Sequence, residues 1–241
     1  MITVTIWNEY RQDKTVESIR KIYPDGIHTA LKNGLESPDL NIRTTVLDDP
    51  QQGLSDEILD STDVLIWWAH AAHHELTDEN VRRIVEKVHS GMGLIVLHSG
   101  HYSKIFQALC GTSCSLKWRE SGEKERLWCI QPFHPIARGV PETFVVPQTE
   151  MYGERFDIPE DARIIYMSWY EGGEVFRSGI TLERGYGKIF YFSPGHESFP
   201  IYYQPEILQI ISNAIRWAAP QCRGVINAPK VPNLEPIRSK E

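Results

Sequence analysis

The stretch Gly93-Leu94-Ile95-Val96-Leu97-His98-Ser99-Gly100-His101-Tyr102-Ser103 runs from a continuous apolar segment into small and polar residues. The apolar part does not alternate, so the strand it predicts, Gly93–Leu97, is covered on both faces, as in a parallel sheet. A strand that enters a sharp turn of small residues and then a helix has the shape of a nucleophile elbow. Upstream, Asp63–Trp68 is a second run of this kind. Between the two, Thr77 is placed to cap a helix whose Val81, Ile84, Val85 and Val88 share one face. Gly91 is placed to end it. Further back, Ile2–Trp7 and Asn41–Leu47 read as strands, with Ile27, Leu31 and Leu35 on a helix between them. Alternating strand and helix predicts a doubly wound α/β sheet.

Beyond residue 110 the pattern changes. Ser115–Glu120 and Glu125–Gln131 flank Ser121-Gly122-Glu123-Lys124 and read as an antiparallel hairpin, followed by a Pro-punctuated stretch, 132–147. Ile164–Trp169, Gly173–Leu182 and Lys188–Phe192 read as further strands, partly antiparallel, and Pro205–Ala219 as a last helix. The expected organisation is one α/β domain over residues 1–220 and a Pro-containing tail over 221–241, either disordered or laid on a partner.

The net charge of −7 argues against nucleic acid or an anionic membrane as partner. The start of the chain reads as a strand rather than a signal peptide, and no apolar run approaches a bilayer span. Four cysteines without a C-x-x-C pair suit a reduced, cytoplasmic protein. The partners expected are a small-molecule ligand and further copies of the chain in a homo-oligomer.

Ligands of open parallel sheets bind beyond the carboxyl ends of the strands. There the sequence places Glu9, Asp49, His70, His73, His74, His98, His101, His196 and Glu197. Six of the nine histidines thus fall on three connections at one sheet edge. Imidazoles with a carboxylate suit a divalent metal such as zinc, and His70-x-x-His73 allows two ligands from one loop. The alternative from the same residues is a His/Glu acid–base pair acting on a polyol.

Class I glutamine amidotransferases carry Cys at the elbow in a Gly-x-Cys-x-Gly-His pattern. Here Gly100-His101 matches the trailing pair and His98 stands at the Cys position, which disfavours thiol-based amide hydrolysis. The chain resembles the ThuA-like, or trehalose-utilisation, family over roughly residues 1–220. The carriers are Trp67–His73, Gly91–Ser103, Met151–Pro159, Trp169–Gly179 and Tyr191–Glu197. The resemblance implies a flavodoxin-like (class I glutamine amidotransferase-like) doubly wound, mostly parallel sheet with added antiparallel strands. It implies a role in catabolism of trehalose or related disaccharides, on oxidised keto-sugar derivatives. It also favours His70 and His73 over His74 and draws Glu154 and Arg177 into the site.

The resulting expectation is a metal-assisted sugar isomerase, epimerase or lyase. His98, Glu154 and His196 are its catalytic candidates. Glu9, Asp49, His101, Tyr152, Arg177 and Glu197 are its substrate-binding candidates. His70, His73, His98 and His196 are its metal ligands. Glu150 is a further hydroxyl binder, and Trp67, Trp68, Tyr152, Trp169 and Tyr170 are candidate stacking faces. The rival expectation is a non-catalytic sugar-binding or regulatory protein.

Overall fold

A computed structural model describes residues 1–225 and 227–237. In chain order the elements are β1 (Ile2–Asn8), α1 (Gln12–Thr15), α2 (Glu17–Ile22), α3 (Ile27–Leu35), β2 (Leu40–Val46), α4 (Asp56–Asp60), β3 (Val64–Trp68), α5 (Asp78–His89), β4 (Gly93–Leu97), α6 (Lys104–Cys110), β5 (Lys117–Cys129), β6 (Thr143–Gly153), β7 (Arg163–Tyr170), β8 (Val175–Arg184), β9 (Gly187–Phe192) and α7 (Pro205–Ala218).

The nine strands of the described residues join one sheet in the order β2-β1-β3-β4-β9-β8-β7-β5-β6. From β2 to β9 every pairing is parallel, and from β9 to β6 every pairing is antiparallel. The parallel part has the flavodoxin-like order, in which the chain starts beside the middle and winds outward both ways.

The continuous apolar runs of β3 and β4 are buried at every position. One face packs against α3 and α7 through residues such as Ile66, Ile95, Leu31 and Ile211. The other packs against α5 and α6 through Leu65, Leu94, Ile84 and Phe106. The start of α5 is fixed as the sequence suggests, the Thr77 hydroxyl accepting from Asn80 N–H, and α6 is capped alike by the Ser103 hydroxyl, which accepts from Phe106 N–H. Gly93 opens β4 because α7 ends against it, and a Cβ there would meet the carbonyl oxygen of Ala218.

The predicted hairpin over 115–131 does not form. Residues 117–129 are one long strand, and the supposed turn is an irregularity where the β5–β6 register shifts between Arg119, Glu123 and Glu125. Gly122 takes a positive φ of 65° there without reversing the chain. Arg119 holds the bulge by donating to Glu123 Oε1 at 2.9 Å and to Glu174 Oε1 at 2.8 Å. The partner strand, β6, comes from a stretch read as Pro-punctuated connection. It forms the sheet edge, where Pro147 costs no ladder bond.

The first tail residues are tied down. Arg223 donates to Asp63 Oδ1 at 2.7 Å and Gly224 N–H to Ser90 O at 3.1 Å. Val231, Leu234 and Ile237 are exposed. Residues 226 and 238–241 of the expected tail lie outside the described residues. Among those described, no helix is long and apolar enough to cross a membrane.

Glu125 is fully buried on β5, its Oε1 accepting from the hydroxyls of Ser168 and Tyr170. Burial pushes its pKa from 4.5 up to about 7, against the pull of those two bonds. Between these values the folded chain keeps a proton that the unfolded chain releases. Its contribution to stability is therefore full below the unfolded value and lost as pH rises through about 7. The loss is on the order of 3 kcal/mol. Glu125→Gln is expected to flatten the pH dependence. Between about pH 5 and pH 8, the wild-type melting temperature should fall by roughly 5–10 °C more than that of the variant. Thermal unfolding followed by circular dichroism at both pH values checks this.

Candidate functional site

The site lies beyond the carboxyl ends of β3, β4 and β9. At the end of β4 the chain turns at once: His98 has φ 49°, in the left-handed region that a residue with a Cβ adopts only under constraint. Two residues on, a Cβ at Gly100 would stand 2.8 Å from Val96 Cγ1, so the turn closes tightly over its own strand. The His98 ring is buried and stacked on Tyr152, with centroids 5.0 Å apart and planes at 7°. Its Nδ1 donates to Ser193 O at 2.8 Å. That bond fixes the tautomer and leaves the Nε2 lone pair facing Glu150 Oε2 at 3.1 Å and the Tyr152 hydroxyl at 3.3 Å.

The loop after β3 is set by a buried carboxylate. Glu9 accepts from three consecutive backbone N–H groups, those of His70, Ala71 and Ala72, at 2.8, 2.8 and 2.9 Å. This places His70 Nδ1 2.5 Å from Ser99 Oγ and its Nε2 3.6 Å from Glu197 Oε1. The loop after β9 supplies His196, whose Nδ1 accepts from Ser198 N–H at 3.1 Å and whose Nε2 lies 3.7 Å from Glu120 Oε1. His101 donates from Nδ1 to Cys114 O at 2.7 Å and sets its ring edge-on to Tyr152.

Two overlapping trios offer ligand atoms within 4.8 Å of one another: His98, Glu150 and His196, and His70, His196 and Glu197. The Oε2 atoms of Glu150 and Glu197 are buried without a hydrogen-bond partner among the described residues. Desolvation rules the electrostatics. It pushes the pKa values of His98, His101 and His196 down to about 3 and that of His73 to about 4. It pushes Glu150 up, and Glu197 up to about 8. These four imidazoles are therefore neutral at pH 7, and with Nδ1 donating, His98 and His101 keep their Nε2 lone pairs for a proton or a cation.

A cavity of about 470 Å³ opens onto this cluster. His70, His73, Ser99, His101, Glu150 and Tyr152 line it, with Tyr102, Trp118 and Glu120 among its exposed walls.

Residues 3–218 match the model of the ThuA family, described as trehalose utilisation. The chain belongs to that family. Among solved structures, a ThuA-like protein from Parabacteroides merdae is similar, with 17% identity, 96% of this chain and 93% of that one covered, and a TM-score of 0.66. A cytoplasmic protein from Salmonella typhimurium has 13% identity, 90% and 99% coverage and a TM-score of 0.60. A glutamine amidotransferase from Thermotoga maritima has 10% identity, 90% and 98% coverage and a TM-score of 0.50. At these identities the likeness is one of fold. No curated protein matches in sequence.

Several expected site residues are engaged elsewhere. Glu154 cannot serve as a free proton shuttle, because both its oxygens are used. It accepts from Arg177 Nε at 2.9 Å and Nη2 at 2.8 Å, and from the N–H groups of Phe156 and Arg177. Burial raises its pKa, but these bonds outweigh burial and the net shift is downward. Arg177 is consumed by the same pair and by Phe156 O, so it does not reach into the cavity. Glu9 is a loop clamp rather than a hydroxyl binder. Asp49 accepts from Val46 N–H in its own turn, beyond the edge strand β2.

His73 lines the cavity but joins neither ligand trio. Trp67 stacks on Trp7 in the core at 3.7 Å, and Trp68 donates to Gly195 O. Tyr170 is buried against Glu125, and Trp169 lies outside the cavity lining. Sequence reasoning overlooked Trp118 and Glu120. Their i, i+2 spacing was the available signal, obscured by reading them into a hairpin.

Glu9→Gln is expected to be costly despite its small change in shape. An amide nitrogen would face a backbone N–H, leaving a buried donor without an acceptor, at about 2 kcal/mol. Urea unfolding checks this: a midpoint equal to that of wild type would mean that the carboxylate does not hold the loop.

Proposed function

We propose that this ThuA-family chain is an enzyme acting on an unphosphorylated sugar or keto-sugar derivative, by acid–base chemistry assisted by a divalent cation. The observation that carries the proposal is the buried His98–Glu150 pair, whose Glu150 lines the cavity, with His70, His196 and Glu197 beside it. The family description, trehalose utilisation, supports a sugar of that class. The cavity wall supports a neutral one: among the described residues it carries Glu120 and Glu150 and neither Lys nor Arg, so no side chain of it pairs with a phosphate.

The donor set suits a cation such as zinc, which takes imidazole nitrogen and carboxylate oxygen together. His98, Glu150 and His196 would hold it, or His70, His196 and Glu197. The two unpartnered carboxylate oxygens are the atoms such an ion would satisfy. When bound, the ion supplies Lewis-acid polarisation of a carbonyl or hydroxyl oxygen.

The chain's own residues do the rest. Ser99 and Glu120 are positioned to bond sugar hydroxyls. Tyr152, 3.0 Å from Ser99 Oγ and 3.3 Å from His98 Nε2, orients both. Among the lining carboxylates, Glu150 is the one beside an imidazole lone pair, which makes it the proton-handling group in place of Glu154. Isomerisation, epimerisation and elimination next to a carbonyl all need this equipment. A cytoplasmic setting belongs to the proposal, and four unpaired cysteines suit it.

Protein purified without a His-tag is expected to contain a divalent metal by elemental analysis, and His98→Ala and Glu150→Gln to lower its content. Conversion of 3-keto-trehalose should fall at least a hundredfold in Glu150→Gln and after chelation. Metal-free protein with full activity in chelator would remove the cation from the proposal. Tight sugar binding without conversion under any metal supplement would leave a sugar-binding protein instead.

We also propose a homo-oligomer. Trp128, Trp169 and Val175 stand exposed on the adjacent antiparallel strands β5, β7 and β8 and supply an apolar face for it. A monomeric mass by light scattering would overturn this.

A further inference from the structure

We propose that Trp118, together with Tyr102, is the platform for a second sugar ring, so that the cavity takes a two-ring glycoside in preference to a single ring. This rests on the sugar reading above and names which part of the ligand each end of the cavity holds.

Trp118 is 66% exposed and Tyr102 55% exposed, yet both line the cavity that His70 and Glu150 of the His/Glu cluster also line. Trp118 stacks on no aromatic ring of the described residues, although the other cavity aromatics are engaged with neighbours. Tyr152 lies on His98, and Tyr102 sits edge-on to His73 and His101 with centroids at 6.1 Å. An indole left open to water in a concave site is a large apolar face awaiting a partner.

Strand register fixes where that face sits. Trp118 on β5 pairs with Tyr152 on β6, the residue whose hydroxyl reaches Ser99 and His98. Paired residues on adjacent strands are about 5 Å apart. The platform therefore begins next to the reacting centre and extends outward from it, the place for the ring that is held but not altered.

The chemistry of the wall matches a pyranose. Each such ring shows a face of C–H groups and a rim of hydroxyls. Trp118 offers a flat apolar surface for the face, and Leu116, two residues earlier, continues it. Glu120, two residues later on the same face of the strand, offers a half-exposed carboxylate for the rim. The cavity of about 470 Å³ lies within the range of sites that enclose small organic ligands.

The test is equilibrium binding of trehalose, as the two-ring probe, and of glucose, as the one-ring probe. Wild type, Trp118→Ala and Trp118→Phe are compared by calorimetry and intrinsic fluorescence. Wild type is expected to bind trehalose more tightly than glucose. Trp118→Ala should weaken trehalose by about five- to tenfold and leave glucose within about twofold. Trp118→Phe should recover most of the trehalose affinity while losing the fluorescence change on binding. Because the side chain is exposed, all three proteins should melt at the same temperature.

Equal weakening of both sugars in Trp118→Ala, or of neither, would overturn the platform while leaving the sugar reading in place. If wild type binds neither sugar at any attainable concentration, the sugar reading and the platform fall together.

Discussion

Burial of β3 and β4 on both faces governs the rest of the molecule. A strand covered by helices on either side has no room for polar side chains along its length, so they gather where it ends. At the carboxyl end of β4 the chain must leave the sheet within one residue, and His98 takes the left-handed conformation that allows it. Glu9, itself buried, does the corresponding work beside it, gathering three consecutive backbone N–H groups of the partly buried loop after β3. The candidate site is thus a by-product of closing the sheet: the positions that solve the backbone problem also bring His70, His98 and His196 to one floor.

The same burial sets the chemical character of that floor. Histidines at ordinary surface positions gain and lose protons near neutral pH. Here desolvation holds three of them neutral and pushes Glu197 and Glu150 toward their protonated forms. Backbone carbonyls of Ser193 and Cys114 then choose the tautomers of His98 and His101. Those imidazoles stay polar without carrying charge, an arrangement that costs little in a low-dielectric interior.

The parallel half was legible because continuous apolar runs and helix caps are local signals, and the structure places β1 to β4 close to where those signals fall. The elbow was legible for the same reason, from His98-Ser99-Gly100. The hairpin at 115–131 was not, because Ser121-Gly122 suits a turn and a bulge equally well. What selects the bulge is Arg119 bridging to Glu174, 55 residues away in sequence. Glu154 and Glu9 show a second limit. A carboxylate beyond a strand end looks the same in sequence whether it faces a ligand or is spent on Arg177 or on a loop backbone. Trp118 shows a third: its position beside Tyr152 is a matter of strand register, which no single segment encodes.

The left-handed conformation of His98 bears on what such a fold can present at its elbow. The backbone strain at the elbow is independent of the side chain it presents, since it arises from the turn over Val96 and Trp67. A scaffold of this shape can therefore present a different group at that position, thiol or imidazole, with the same architecture beneath it. The chemistry is chosen at one residue, while the turn keeps aiming whatever stands there at the same point in space.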